Sequence, residues 1–408
     1  MDEVEVESFT PDKIVNIADD ADTGYFFEVD LEYPDHLHHL HNSLPLAPER
    51  VIVDKEMYSP YTASFDKDFV PSEKLIPMLS NKSNYVTHYR NLKFYIEHGL
   101  KITKIHKILS FSQSFWMRNY IELNTENRKR AVDEFEKDFF KLMNNAVFGK
   151  TIENARHRIE IKMVTKENRL KKLAAKPNCK FSIRVNNDLV MVNMGQPKLL
   201  LNKPIYVGFS ILDISKTLIY KFHYDTVMKR YGPDNAKLLF TDTDSLCYQI
   251  ETEDLYKDMS QMIDEFDTSN YPVEHPLFSK TNAKVLGKFK DETASVLPIE
   301  FIGLKSKMYS LLVTPSDPAK LTAKGVKRSW VEANLRHDTF RDVLFKKAVT
   351  YADFQKFVSK NHSIHTTLLH KKCLDAFDDK RYLLDDGISS LSYGHLDIPH
   401  AKRRRLAE

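Results

Sequence analysis

The segment of residues 238–248, Leu-Leu-Phe-Thr-Asp-Thr-Asp-Ser-Leu-Cys-Tyr, constrains the fold of this chain most strongly. Short apolar runs of this kind are typical of buried strands, and the small polar residues between them indicate a tight turn. The pattern predicts a hairpin with Asp242 and Asp244 at its tip. Neighbouring carboxylates repel each other unless a cation lies between them, and Mg²⁺ prefers oxygen ligands. Asp-x-Asp pairs also occur in ordinary surface turns, but the apolar runs on both sides favour a metal site.

Composition limits the classes of protein that need to be considered. The chain has 408 residues, enough for two or three domains or one large multi-lobed one, and its net charge of +3 excludes a polybasic binder. Cys179, Cys247 and Cys373 lie far apart, which argues against a disulfide framework and a cysteine zinc site. No apolar run approaches membrane-spanning length, so we expect an intracellular protein without a membrane partner.

A group of histidines follows a predicted strand at residues 24–33. The group consists of His36, His38, His39 and His41. These side chains could in principle bind a metal, but their spacing includes an adjacent pair and no second cluster accompanies them. The pattern therefore disfavours a metal site.

Two long segments have helical patterns. Residues 124–150 contain no proline, and the spacing of Arg130, Lys137 and Lys141 predicts that all three project from one helix face. Such a face is usually only solvated, but it could also bind a triphosphate. The second helix is predicted at residues 207–230. Its expected apolar stripe consists of Ile211, Ile214, Leu218 and Phe222, and it should end at residues 231–233, Tyr-Gly-Pro.

The first of these segments contains the pattern Lys141-x-x-x-Asn145-x-x-Phe148-Gly149. Lysine, asparagine and phenylalanine at these spacings share one helical edge. The cation can hold phosphate, the amide can support a site, and the ring can pack on a base or sugar. The glycine allows another group to approach closely. An amphipathic helix with a charged rim explains the segment equally well when it is considered alone.

Taken in order, three motifs resemble those of family B DNA polymerases. The helical pattern is followed by Asp-Thr-Asp-Ser and then by Lys307-x-Tyr309. More closely, the chain resembles the protein-primed branch found in Polinton or Maverick transposons, their viral relatives and linear organellar plasmids. Residues 28–34, 141–145, 208–213 and 287–292 carry that resemblance. Phe148 replaces the tyrosine of many family B enzymes.

The resemblance implies an α+β fold, with a right-hand palm of antiparallel sheet and helices, helical fingers and a small thumb. Residues 1–110 would form part of the palm and an insertion that contacts a priming protein. Residues 111–158 would form the fingers, 159–315 the rest of the palm, and 316–408 the thumb and a basic tail.

The resemblance also assigns roles to residues. Asp244, supported by Asp242, would bind metal and act in catalysis, with two Mg²⁺ ions in an intact enzyme. The expected nucleotide-binding residues are Lys141, Asn145, Phe148, Gly149, Arg130 and Lys137. The expected primer-binding and DNA-binding residues are Thr243, Lys305, Lys307, Tyr309, Lys324 and Lys327. The implied partners are primer–template DNA, dNTPs and a terminal priming protein.

One expected motif is not found in the sequence. The family takes a further metal-binding carboxylate from Asp-x-x-Ser/Asn-Leu-Tyr, which would precede residues 24–33, and Asp30 does not substitute for it. We therefore expect the carboxyl-terminal part of a polymerase, without exonuclease domain or first palm motif, and inactive or nearly so in isolation. The alternatives are a catalytically dead primer–template-binding protein and, with less support, a metal-dependent nuclease. The basic residues 402–405 suggest nuclear import or a solvated tail, with a nucleus or viral factory favoured over an organelle.

Overall fold

The computed structural model of the protein describes residue 6 and residues 8–65, 72–314, 320–360 and 363–399. The basic residues 402–405 lie outside this part of the chain. Helices and mostly antiparallel sheets confirm the predicted α+β class. The first compact unit comprises Met1–Asn119, Leu212–Tyr351 and Lys372–Glu408, and the second comprises Tyr120–Ile211 and Ala352–Lys371. No helix in the described ranges has the length and apolar character needed to cross a bilayer.

The helices and strands are numbered here in chain order. The α-helices are α1 (Pro11–Val15), α2 (His38–His41), α3 (Pro60–Ala63), α4 (Tyr89–Glu97), α5 (Arg118–Arg130), α6 (Glu134–Thr151), α7 (Glu167–Ala174), α8 (Ile205–Lys221), α9 (Lys229–Asn235), α10 (Leu255–Gln261), α11 (Arg328–Asn334) and α12 (His337–Lys346), with a π-helix at Phe222–Met228. The strands are β1 (Thr23–Glu32), β2 (Glu49–Ile52), β3 (Glu73–Ile76), β4 (Lys82–His88), β5 (Lys101–Ser112), β6 (Glu160–Val164), β7 (Cys179–Arg184), β8 (Val190–Met194), β9 (Ala236–Asp242), β10 (Ser245–Ile250), β11 (Phe266–Asp267), β12 (Phe289–Lys290), β13 (Glu300–Lys305), β14 (Met308–Leu312), β15 (Lys320–Ala323), β16 (Tyr351–Lys360), β17 (Ser363–Lys372), β18 (Tyr382–Leu383) and β19 (Ser390–Leu391).

Small sheets organise the first unit. Strand β1 lies between β4 and β5, and both pairings are antiparallel. The β9–β10 hairpin, which the sequence predicted, and the three-stranded sheet β13–β14–β15 follow later in the chain. Along β1, Phe27, Val29 and Leu31 are buried, whereas the residues between them are partly exposed. This alternation places one face of β1 in the main core.

Helix α8 enters that core with a different face from the one predicted. Ile211 and Leu218 are exposed, so the expected apolar stripe is wrong. Asp213 and Thr217 are buried instead, together with two tyrosines further along. The Asp213 carboxylate accepts a hydrogen bond from the backbone N–H of His88 at 3.1 Å, and Thr217 donates to the Asn91 side chain at 2.6 Å. Polar residues occupy this face because α4 and β4 satisfy their hydrogen bonds.

Three tyrosine hydroxyls from the core fix the loop that follows α2. Tyr224 donates to the Leu44 carbonyl at 2.7 Å, and Tyr220 donates to the Pro45 carbonyl at 3.2 Å. The Tyr33 hydroxyl accepts from the backbone N–H of Leu46 at 3.2 Å. Burial raises the pKa of all three phenols, since the charged form would lose its hydration. The buried rings therefore stay neutral and hold the loop by hydrogen bonds.

The second unit contains α5–α7, the sheet β6–β8–β7 and the β16–β17 hairpin. The helix predicted at residues 124–150 is interrupted, because α5 ends at Arg130 and α6 begins at Glu134. Asp133 caps α6, and its carboxylate accepts from the backbone N–H of Glu136 at 2.7 Å. Arg130 therefore lies on a different helix from Lys137 and Lys141, and the prediction of one shared face is wrong. The Asp-x-x-Glu pattern of a helix start was the signal that could have revealed the break.

We expect acid to destabilise the first unit through its buried histidines. Burial lowers the pKa of His88 and His223 to about 4 and that of His41 to about 3, from an ordinary 6.5. Between these values the unfolded chain binds more protons than the folded one, so the free energy of unfolding falls as the pH falls from 6.5 towards 4. Each histidine contributes up to about 1.4 kcal/mol per pH unit. Denaturant unfolding at several pH values measures this slope.

The substitution His223→Gln keeps a polar group near the Tyr248 hydroxyl, which lies 2.9 Å from Nδ1 of His223. It should reduce the slope, whereas the exposed His157→Gln should leave it unchanged. An unchanged slope in the His223 variant would contradict the assignment.

Candidate functional site

The β9–β10 hairpin places one predicted metal ligand, Asp242, at the end of β9 and the other, Asp244, in the tight turn that follows. Asp242 ends β9, Ser245 begins β10, and these two residues pair across the hairpin. The backbone N–H of Asp244 donates to the Asp242 carbonyl at 2.7 Å, and the Ser245 hydroxyl donates to the same carbonyl at 3.2 Å. Thr243 has a φ of 59°, a left-handed conformation that costs a residue other than glycine about 1 kcal/mol or more. The strands are half-buried rather than fully buried, and Asp244 is exposed.

A second hairpin brings a cation to this turn. Lys307 lies between β13 and β14, also with a φ of 59°. Its ammonium Nζ lies 2.9 Å from Oδ1 of Asp242, and both side chains are partly exposed. The predicted primer-binding lysine is therefore an ion-pair partner of a predicted metal ligand. Because solvent screens the pair, it contributes at most about 1 kcal/mol to stability. Such a weak pair can open when a stronger ligand arrives.

Aromatic rings join the two hairpins beneath this ion pair. Phe240 of β9 stacks on Tyr309 of β14 with ring centroids 4.5 Å apart, and on Phe301 of β13 at 5.5 Å. Stacked rings resist sliding and bury apolar surface from both hairpins. The stack fixes the distance between the turn that carries Asp242 and the turn that carries Lys307. Tyr309 was predicted to bind the primer, whereas Phe240 was not predicted, although its position two residues before Asp242 was the available signal.

The remaining predicted DNA-binding lysines have different surroundings. Lys305 donates to both carboxylate oxygens of Asp375 at 2.7 and 2.8 Å, so its charge is already neutralised. Asp375 could not be identified as the partner from the sequence, because 70 residues separate the two positions. Lys324 is exposed, and its backbone N–H donates to the Lys307 carbonyl at 3.1 Å. Lys327 is exposed and precedes α11.

No third metal-ligating side chain joins Asp242 and Asp244 among the residues that the structure describes. Asp30 has a local role instead. Its carboxylate accepts from the backbone N–H of Asn84 at 2.8 Å and lies 2.8 Å from Nε2 of His106. These two contacts hold the pKa of Asp30 below its usual value. The hairpin thus offers two carboxylates, which is the number that Mg²⁺ commonly takes from a protein.

The predicted nucleotide-binding pattern lies on α6 in the second unit. Lys141 and Asn145 are exposed, and Phe148 is half-buried. A Cβ atom built on Gly149 would meet no other atom within 4 Å, so the helix edge is open there. Lys137, by contrast, is paired with Glu134 at 2.7 Å. The edge of α6 therefore has room for a flat group at Gly149. Among the described residues, no neighbour encloses that group or fixes its orientation.

Gly208, within the segment 208–213 that carries the family resemblance, fixes the end of this helix. A Cβ atom on Gly208 of α8 would lie 2.1 Å from Cγ2 of Ile152 and 2.6 Å from the Thr151 hydroxyl. Only glycine allows α8 to pass so close to the end of α6. Gly208 thus supports the position of α6 within the second unit.

Comparisons with known proteins show similarity at the level of structure. No protein-family model matches this chain, and no curated protein matches it. Among solved structures it is similar to Phi29 DNA polymerase complexed with primer-template DNA, a post-translocation binary complex, with a TM-score of 0.43 and 14% sequence identity. The similarity covers 86% of this chain and 57% of that chain, so the protein spans less than two thirds of the polymerase.

Phe240→Ala should loosen the two hairpins relative to each other. Removing the half-buried ring should lower the free energy of unfolding by about 1–3 kcal/mol, since the stack on Tyr309 and Phe301 is lost. Phe345→Ala is the matched control, because its ring is 64% exposed. Urea unfolding of both variants tests this expectation. Equal stabilities would show that the stack does not hold the hairpins.

Proposed function

We propose that the protein is a DNA-directed DNA polymerase of family B and of the protein-primed type. One observation carries the proposal: the carboxylate of Asp242 and the ammonium of Lys307, from two separate hairpins, lie 2.9 Å apart. A polymerase needs acidic groups for metal and a cation for the primer phosphate at one place. The proposal assigns β9–β10 and β13–β14 to the palm, α5 and α6 to the fingers, and residues 316–408 to the thumb and basic tail.

Within the proposal, Asp242 and Asp244 hold Mg²⁺. Bound Mg²⁺ would supply charge stabilisation for the phosphoryl group and activation of the primer hydroxyl. Lys307 neutralises Asp242 while no nucleic acid is bound and then turns to the primer backbone. Its charge therefore stays close to the reacting phosphate in both situations. Tyr309 supports the primer end from the aromatic stack below.

The proposal also gives roles to two further groups of residues. On α6, Lys141 holds the triphosphate of a dNTP, and Asn145 and Phe148 border its base. Lys305 acts as a positioning residue in this proposal, because Asp375 binds its ammonium group. Lys324 and Lys327, both exposed, meet the duplex backbone. The proposed setting is replication of a mobile or viral DNA element, with a terminal priming protein as partner.

A specific observation favours a second candidate function, which is binding of primer–template DNA without catalysis. No third carboxylate accompanies Asp242 and Asp244 in the described ranges. With few ligands, the paired metal ions of a polymerase would be held weakly, and transition-state stabilisation would fall by several kcal/mol. The same basic and aromatic side chains would still bind DNA.

Asp244→Asn separates the two candidates. If the chain is a polymerase, the wild type extends a primer with Mg²⁺, even if slowly, and the variant loses about 100-fold or more of that rate because a metal ligand is gone. Primer–template affinity, measured by fluorescence anisotropy, should change little. The exposed Asp234→Asn, just before β9, is the control and should keep the wild-type rate. Tight primer–template binding with no extension by the wild type would establish the binding function instead.

Gly149→Ala tests the proposed nucleotide edge of α6. The new methyl group has open space in the structure, so the free energy of unfolding should stay constant or rise by up to about 1 kcal/mol. A base pair that closes against Gly149 would meet this methyl group, and the KM for dNTP should rise about ten-fold. Asp188→Ala, at an exposed turn of the same unit, should alter neither quantity. An unchanged KM in the Gly149 variant would remove α6 from the nucleotide site.

A further inference from the structure

The histidine group after β1 divides into two kinds of side chain in the structure. His38 and His41 are buried, whereas His39 is exposed on the same short helix. Nδ1 of His41 lies 2.7 Å from the Tyr33 hydroxyl, and Nδ1 of His38 accepts from the backbone N–H of Leu396 at 3.0 Å. The buried pair therefore holds α2 in place. His39 projects from a helix whose position is already fixed.

The carboxyl-terminal part of the first unit lies against this helix. His395 is 1% exposed, and its ring centroid lies 5.0 Å from that of His39. Two hydrogen bonds and one close backbone approach fix the segment around it. The backbone carbonyl of Tyr393 accepts from the backbone N–H of Leu79 at 2.8 Å, and the backbone N–H of Ser392 donates to the Asn42 side-chain oxygen at 2.7 Å. A Cβ on Gly394 would lie only 2.8 Å from the backbone nitrogen of Ser80.

These contacts bring together three side chains with metal-ligand chemistry. One ligand atom each from His39, His395 and Asp397 lie within 4.8 Å of one another. Nδ1 of His395 and Oδ2 of Asp397 are 3.6 Å apart. In tetrahedral zinc sites with bonds of about 2.0–2.1 Å, neighbouring ligand atoms are about 3.3 Å apart. Small rotations of the exposed His39 and Asp397 side chains are enough to reach that geometry.

We propose that His39, His395 and Asp397 bind a Zn²⁺ ion, with water as the fourth ligand. Two imidazole nitrogens and one carboxylate form a donor set that suits zinc, whereas Mg²⁺ and Ca²⁺ prefer oxygen atoms alone. Nδ1 of His395 now accepts from the backbone N–H of Asp397 at 3.1 Å, and the stronger bond to zinc would replace this contact. The sequence could not reveal the site because its ligands lie near opposite ends of the chain.

Bound zinc would cross-link two segments of the first unit that are distant in the sequence. Since the three ligands meet only when the chain is folded, zinc stabilises the folded state according to its concentration and affinity. The ion would connect the segment after β19 to α2. This inference does not depend on the proposed polymerase function, because no residue of the hairpins takes part.

Zinc titration of the full chain tests the site. A background carrying Asp242→Asn and Asp244→Asn removes the hairpin carboxylates as competing ligands, and metal is first stripped with a chelator. We expect one Zn²⁺ per chain in competition with a chromophoric chelator, and a rise in the midpoint of thermal unfolding of about 2–4 °C. Mg²⁺ at the same concentration should give no such shift.

Two variants and one matched control decide the assignment. His39→Ala and Asp397→Asn change exposed side chains, so both should fold with the parent's midpoint without zinc and bind zinc about ten-fold or more weakly. His36→Ala changes an exposed histidine three positions away and should keep the parent's affinity. Equal zinc affinity in the His39 and His36 variants would overturn the proposal. So would thiolate charge-transfer bands in the Co²⁺-substituted protein, since they would place the metal on a cysteine.

Discussion

The first unit depends on buried tyrosines whose rings lie in the core and whose hydroxyl groups all have hydrogen-bond partners. A buried phenol must find a hydrogen bond, and here the partners are backbone groups of the loop at Leu44, Pro45 and Leu46. These hydrogen bonds hold the backbone of a loop that has no regular secondary structure. Because α2 precedes that loop and the carboxyl-terminal segment packs on α2, the core tyrosines indirectly position both ends of the unit. The hydrophobic effect drives burial of the rings, and the hydrogen bonds of the hydroxyl groups determine which loop the rings stabilise.

In the candidate site, too, apolar packing fixes the backbone while polar groups make the contacts that can change. The Phe240 stack sets the spacing of two hairpins, while the exposed Asp242–Lys307 pair above it can open at little cost in free energy. Both turns contain a residue other than glycine in a left-handed conformation, at Thr243 and Lys307. Hydrogen bonds from Asp244 and Lys324 to the backbone of these turns compensate for that strain. The backbone that carries the charged side chains is therefore rigid, whereas the charged groups at the ends of those side chains can change partners.

Local patterns were predictable from the sequence, and distant partnerships were not. The β9–β10 hairpin follows from short apolar runs around a polar turn, and the helical run reaches Gly232, whose φ of 75° breaks it. The buried face of α8 was mispredicted because Asp213 and Thr217 are polar, and only partners on α4 and β4 make their burial favourable. The same limit applies to the site. Asp242 and Lys307 could be named from motifs, but the contact between them depends on rings that pack from separate hairpins.

The structure separates two metal chemistries by the atoms that it offers. The hairpin presents carboxylate oxygens on an exposed turn, which suits a hard ion that keeps most of its water. The group around His395 presents imidazole nitrogens on a segment that backbone hydrogen bonds have already fixed, which suits zinc. Zinc also binds carboxylates more strongly than Mg²⁺ does, so a chain with the hairpin alone would be open to occupation by the wrong ion. Within the two proposals, the imidazole nitrogens make the His395 group the better zinc site, whereas the oxygen-only hairpin suits Mg²⁺.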